Sequence, residues 1–323
     1  MKGARIGVLV VSVAALLGAA TLVVGQQGAP GAQVRWSEES RGKILAGIIV
    51  ETLTVSPDSK RVAYVASKGE KQLVVVDGQQ GPEYDDIMEG TPIFSPDSRR
   101  VAYAAHKGDK WMVVVDGQEG PLYDSIGEGT LTFSPDSQRL AYAAKKGEWL
   151  ALLDELAKWV VVVDGQEGRE YDAICSLIFF SPDSQRVAYV HWKGEKHWVV
   201  VDGQEGPEYD GIRSLIFSPD SQHVAYAPRK GDKRLVVVDG QQGPEYLGIA
   251  ALTFSPDSQR VAYAAKKGHK WLMVVDAQEG PEYDEFLRGS KLAFDDERHV
   301  HDLARRGRVR GEALLVKGEI VGP

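Results

Sequence analysis

The side chains best able to do chemistry recur at fixed intervals. An aspartate follows Ser-Pro six times, at Asp58, Asp97, Asp136, Asp183, Asp220 and Asp257. A second aspartate closes a valine-rich run six times, at Asp77, Asp116, Asp164, Asp202, Asp239 and Asp276. Rings of carboxylates could bind cations. For the first set a structural role is the better expectation. Each lies in a Ser-Pro-Asp-Ser turn, and Arg61, Arg100, Arg139, Arg186 and Arg260 follow close behind. Local hydrogen bonding and ion pairing account for such a pattern. The second set reads as turn formers. Ala277 stands where the other five have glycine, so the turn type stays open.

The unrepeated candidates are few. His191-Trp192 and His197-Trp198 flank Gly194-Glu195, which places Trp192 opposite His197 and His191 opposite Trp198. Two histidines without a third ligand make a poor metal site, and cross-strand aromatic packing explains them better. His301 and Asp302 are neighbours in an extended segment, so they point to opposite faces and form no dyad. Arg305, Arg306, Arg308 and Arg310 read as a solvated hairpin tip. Cys175 is the only cysteine and lies among apolar residues. It can form neither an intrachain disulfide nor a CxxC site, and a buried inert thiol is expected. No GxSxG, HExxH or phosphate-binding loop occurs. No catalytic residue, metal or cofactor is therefore expected.

The elements that carry these residues follow from the repeat. Ser-Pro-Asp-Ser begins at Ser56, Ser95, Ser134, Ser181, Ser218 and Ser255, with spacings of 39, 39, 47, 37 and 37 residues. A degenerate seventh unit begins near Lys291. Each unit divides into Leu-x-Phe, a Ser-Pro-Asp-Ser turn, RVAYAA, a Lys-Gly-Glu-Lys hairpin, WVVVV, an Asp-Gly-Gln-Glu-Gly-Pro turn and EYDGI. The third piece is apolar at every position, so both of its faces must be covered. Four short strands per period of about 40 residues define a propeller blade, and stacking blades covers both faces. The sequence thus predicts an all-β, seven-bladed β-propeller of four-stranded antiparallel blades over residues 43–323. The last unit ends at Pro323 where its fourth strand would begin, and Ile44 to Val50 read as that strand. The ring is expected to close by pairing of the N- and C-terminal strands.

Residues 1–25 stand apart. Lys2 and Arg5 precede an uncharged apolar run from Ile6 to Val24, which reads as a signal peptide cleaved before Gln26 or as an N-terminal membrane anchor. Residues 26–42 are polar and glycine-containing and read as a linker. The expected location is extracytoplasmic, either periplasmic or secreted, or anchored through residues 6–24. The net charge of −8 argues against a nucleic-acid partner.

The units FSPDSQRVAYAAKKG are similar to the WD-repeat-like propeller repeats of TolB-type bacterial proteins, which carry a comparable Ser-Pro-Asp motif before an apolar strand. The resemblance spans about residues 42–323 and implies a propeller fold. It implies no single function, because such propellers serve many roles.

Near-identical units offer no asymmetric constellation, so function is expected where the repeat breaks. Unit three carries an insertion in which Trp149, Leu152, Leu153 and Leu156 fall at i, i+3, i+4 and i+7, the stripe of a short amphipathic helix. It either packs on the propeller or meets a partner. With it we group His191 and Trp192 of unit four and Arg229 and Lys230 at the hairpin tip of unit five as candidate partner contacts. Lysines at these tips, such as Lys68, Lys107, Lys193 and Lys267, are expected to ring one face. The expected function is a monomeric, non-enzymatic scaffold that binds a protein or peptide partner on one face. The alternative is an exported propeller enzyme or glycan-binding protein acting on a sugar or small ester.

Overall fold

The computed structural model describes residues 44–147, 157–287, 292–306 and 312–320. The terminal segment 1–25, the linker 26–42, the stripe Trp149, Leu152, Leu153 and Leu156, and Arg308 and Arg310 lie outside the described residues. The protein is an all-β propeller of seven antiparallel sheets. Sheet one is typical. Strand β1 (Ile48–Val55) pairs with β2 (Val62–Lys68), which pairs with β3 (Lys71–Val76), which pairs with β4 (Gln79–Tyr84).

Turn chemistry sets this register. Lys68 pairs with Lys71 across a two-residue loop in which Gly69 has φ 64°, the type II′ pattern. Val76 pairs with Gln79 across Asp77-Gly78, where both residues have positive φ, 50° and 80°. That is the type I′ hairpin, which the sequence left open. Ala277 holds φ 63° in the same position, where an L-residue is strained.

The valine and alanine strands stack face to face. Between sheets two and three, Ala102, Ala104 and Val113 meet Tyr142, Ala144, Val160 and Val162. Small residues on one face receive large ones from the next, which lets the two faces pack closely. Similar clusters join each sheet to its successor from sheet one to sheet seven. Edge-on tyrosine pairs recur at five of these interfaces, as in Tyr123–Tyr142 with ring centroids 6.1 Å apart. Such contacts add about 0.5–1.5 kcal/mol each beyond the area they bury.

The structure corrects the assignment of strand four and with it the closure. The fourth strand is Gln79–Tyr84, and the residues after its tyrosine open the next sheet: Asp86–Ile87 pairs with Val101–Lys107 of sheet two. The first strand is long and bulged, as in Gly211–Phe217 and Gly248–Phe254. In sheet one Thr52 bridges the bulge, its hydroxyl donating to Ile49 O and accepting from Val65 N. Ile48 and Ile49 therefore pair with Ala66 and Val65 of their own sheet, and no residue from Ile44 to Val50 pairs with sheet seven. Among the described residues the expected pairing of N- and C-terminal strands is not formed. Sheet seven contributes its first strand in two pieces, then His299–Arg306 and Glu312–Glu319. Leu303 and Leu315 on its outer face are exposed, and among the described residues no apolar cluster joins sheet seven to sheet one.

Candidate functional site

The two ends of each sheet carry different polar systems. At the end bearing Ser-Pro-Asp-Ser, the motif is a clasp between blades. Ser56 Oγ donates to Asp58 Oδ1 at 2.7 Å and accepts from Arg61 N at 2.8 Å. The same Asp58 oxygen accepts from Lys60 N. Asp58 N donates to Ser98 Oγ in the turn of sheet two. This bond recurs from Asp97, Asp136, Asp183 and Asp220 to Ser137, Ser184, Ser221 and Ser258. The arginine completes the clasp. Arg139 Nε donates to Asp164 Oδ2 at 2.8 Å, while Nη1 donates to Ser184 O and Gln185 O of the next sheet. Its guanidinium carbon lies 5.3 Å from the centroid of the Phe180 ring. The second aspartate set ties the hairpin, as Asp164 Oδ1 accepts from Leu140 N.

Both aspartate sets are thus consumed by turns and inter-blade contacts. The serine hydroxyls, above all other causes, hold the first set below the usual carboxylate range. The local turn bonding was legible in the sequence. The link to the next blade was not, because it joins residues about 40 positions apart.

At the hairpin-tip end, the expected lysine ring is a ring of ion pairs. The lysine that opens each third strand meets the aspartate after the fourth-strand tyrosine: Lys71–Asp85, Lys110–Asp124, Lys158–Asp172, Lys196–Asp210 and Lys270–Asp284. The lysine that ends each second strand meets a fourth-strand glutamate in Lys68–Glu83, Lys107–Glu119, Lys146–Glu167 and Lys267–Glu279. Hydrogen bonding to these carboxylates raises the affinity of Lys146, Lys196 and Lys267 for their protons.

Sheet five lacks the aspartate and, like sheet one with Gln80, has a glutamine in the early fourth-strand acid position, while Glu245 stands where Glu83 does. Leu247 stands where the other sheets place the aspartate, and Gln242 stands where Glu119 and Glu279 sit. Lys233 and Lys230 form no ion pair with any described residue. Three arginines lie at the same end of the sheet, on the face opposite these lysines. Arg229 lies directly opposite Arg234 across the hairpin, and Arg213 lies opposite Ala227, two residues before Arg229. Burial, followed by the like charges of Arg213 and Arg229, lowers the proton affinity of Arg234. Arg229 Nη2 donates only to the backbone carbonyl of Asp210. The Asp210 carboxylate is already occupied by Lys196 and by the amide of Gly231. Asp232 and Glu245 are the remaining acids of this corner, both exposed and neither paired. Arg213, Arg229 and Lys230 are exposed and Lys233 and Arg234 partly buried beside exposed Leu247, at a tip where five other sheets pair the third-strand lysine with an aspartate.

The other candidate contacts separate. Trp192 is 43% exposed on the neighbouring hairpin, and Arg229 and Lys230 are exposed. His191 is buried, which corrects its assignment to a contact surface. It stacks on Trp198 at 5.0 Å and 7° and lies 4.2 Å from the Tyr171 ring of sheet three. Its Nε2 abuts the Glu205 carboxylate. The opposition of His191 to Trp198 and of Trp192 to His197 is as the sequence predicted. Cys175 is half-buried against the core between sheets four and five, and burial pushes its thiol up. His301 Nδ1 lies 3.0 Å from Asp295 rather than meeting Asp302. The sequence reading missed Arg213, Arg234, Gln242 and Leu247. Their signal was a break in aligned columns of the repeat, visible only once the register is known.

No protein-family model matches the chain, and no curated protein matches its sequence. Solved structures, a β-propeller domain among them, are similar at low identity. TolB from Acinetobacter baumannii is 17% identical, with 68% of this chain and 62% of that chain covered and a TM-score of 0.34. The chain thus spans less than two thirds of that TolB. The β-propeller domain of the Trilobed protease from Pyrococcus furiosus, described as having an open velcro topology, is 12% identical over 87% of this chain and 97% of its own, with a TM-score of 0.37. A eukaryotic initiation factor is 12% identical over 83% and 74%, with a TM-score of 0.49.

Proposed function

We propose that the protein is a non-enzymatic binding scaffold outside the cytoplasm that captures an acidic segment of a protein partner on its hairpin-tip face. The observation that carries this reading is the unmatched cluster Arg213, Arg229, Lys230, Lys233 and Arg234 on a rim where five other sheets pair the lysine that opens their third strand. Arginine forks accept carboxylates in bidentate geometry, and paired β-strands hold them in a fixed array. Exposed Leu247 and Trp192 supply apolar area at the edge of the cluster. Arginine and tryptophan are the residues that most often anchor interfaces. The acidic chain as a whole disfavours a nucleic-acid polyanion. The uncharged run Ile6 to Val24 supports export, with cleavage or retention as an anchor.

The test restores the two missing acids. A fluorescein-labelled octaglutamate peptide is titrated against the full chain and against the double variant Leu247→Asp, Gln242→Glu by fluorescence anisotropy. Saturable, salt-sensitive binding by the native chain and at least tenfold weaker binding by the variant is expected. Equal binding by both proteins refutes the reading, as does tighter binding of a single-stranded DNA oligomer than of the peptide.

A further inference from the structure

Between sheets five and six the serine bond of the clasp is kept but its arginine is missing, and the gap has the shape of a guanidinium group. In sheets one to four an arginine reaches from the second strand to the next turn. Arg61, Arg100, Arg139 and Arg186 each pair with an aspartate, donate to two successive carbonyls and cover a phenylalanine at 5.3–5.4 Å. In sheet five this residue is His223. Its Nδ1 lies 2.6 Å from Asp239 Oδ2, and its ring lies 6.5 Å from the Phe254 ring at 29°. The imidazole is too short to span the gap. The carbonyls of Ser258 and Gln259, which correspond to those of Ser184 and Gln185, accept no hydrogen bond from a described residue.

A cavity of about 430 Å³ opens there, lined by His223, Asp239, Phe254, Ser258, Gln259 and Asp276 among others. In the corresponding grooves between sheets one and two and between sheets four and five, Arg61 and Arg186 are part of the wall. The matching phenylalanines and serines do not line those grooves. The open space between sheets five and six is therefore the place a guanidinium fills elsewhere in this protein. It offers an aromatic face, two free carbonyl oxygens and a carboxylate.

We propose that this cavity binds a guanidinium group, as carried by an arginine side chain of a peptide or protein ligand. The plane of the group lies on Phe254, one edge donates to Ser258 O and Gln259 O, and the charge is balanced by Asp239. A lysine ammonium has neither the planar face nor the fork to make all three contacts at once. The site lies at the opposite end of sheet five from Arg229, Lys230, Lys233 and Leu247, with Gln242 on its wall, and it does not require the acidic-partner reading.

The test uses N-acetyl-arginine methylamide and N-acetyl-lysine methylamide, titrated calorimetrically into the full native chain and into His223→Arg. The substitution places the protein's own guanidinium in the cavity. Native protein is expected to bind the arginine compound saturably, with at least tenfold preference over the lysine compound, and His223→Arg is expected to lose that binding. Equal heats from both proteins, or no preference for arginine, overturn the proposal. Histidine ring resonances of the native chain provide a readout that needs no variant. The arginine compound should shift those of His223 and leave those of His106, at the other end of the fold, unchanged. Shifts confined to His106, or none at saturation, overturn it equally.

Discussion

Arg139→Ala should cost far more than His223→Ala, although the two residues occupy the same position in the repeats of sheets three and five. Arg139 makes a 2.8 Å ion pair with Asp164, donates to Ser184 O and Gln185 O at 3.0 and 2.9 Å, and covers Phe180. Its side chain is 28% exposed and that of Asp164 43%, so the ion pair is discounted to about 0.5 kcal/mol. The two carbonyl bonds add about 1 kcal/mol together after exchange with water. The ring contact adds about 0.5–1 kcal/mol at such a site. The total is about 2–2.5 kcal/mol. His223 keeps only the aspartate contact and a looser ring stack, so its removal should cost about 0.5–1 kcal/mol. The difference, about 1.5 kcal/mol, is roughly a tenfold change in the folding equilibrium. Urea unfolding followed by tryptophan fluorescence reads it as a larger fall in midpoint for Arg139→Ala at unchanged slope. Equal falls for the two variants would show that the bridge to the next blade contributes nothing, and the clasp argument would fail.

Two further outcomes follow from strain and burial. Ala277→Gly should raise stability by about 1 kcal/mol, because Ala277 holds φ 63° where five sheets use glycine; an unchanged or lowered thermal midpoint would contradict the strain. His191 should make the fold acid-sensitive. Burial depresses its proton affinity in the folded state against the opposing carboxylates of Glu205 and Asp172, with His197 adding to the depression. The unfolded chain takes up the proton near the ordinary value of 6.5, so stability is full above that pH and falls as pH drops toward the lower folded value. His191→Ala, which installs the residue found in sheets one, two, three and six, should flatten the dependence of urea midpoint on pH between about 7.5 and 5.5. A variant with the native slope would exclude His191 as its source.

Much of the fold was legible because each local signal had one structural meaning. Asp-Gly and Lys-Gly pairs between valine-rich runs allow only tight hairpins, and the apolar third strand demands a cover on both faces. The terminal closure was misread for a specific reason. The segment Tyr-Asp-Gly-Ile straddles a blade boundary: Tyr209 ends one sheet and Gly211 starts the next. Without the register, the glycine and isoleucine of either strand look alike. That ambiguity moved Ile44 to Val50 onto the wrong sheet. The site was legible only at Arg229 and Lys230. A cation announces itself in a sequence, whereas the acid that should neutralise it is missed only when its place is known. Leu247 and Gln242 are ordinary residues until the register aligns them with Asp284 and Glu279.

In a repeat protein the recurring polar groups are consumed by the neighbouring repeat, and this decides where ligands can bind. Ser98 Oγ is occupied by Asp58 N, the guanidinium of Arg100 by the turn of sheet three, and Lys110 by Asp124. Only a departure from the repeat frees such a group. Sheet five gathers three departures: His223 at one end, Leu247 at the other, and Gln242 on the fourth strand between them. The first releases carbonyls and an aromatic face that suit a cation. The others release cations that suit a carboxylate. The two ends are separated by the second strand, Val224–Lys230, or about 20 Å at 3.3 Å per residue. That is more than twice the screening length of about 8 Å at physiological salt. The two sites therefore act as separate charges, and a single ligand can use both only if its own acidic and arginine groups lie at least that far apart.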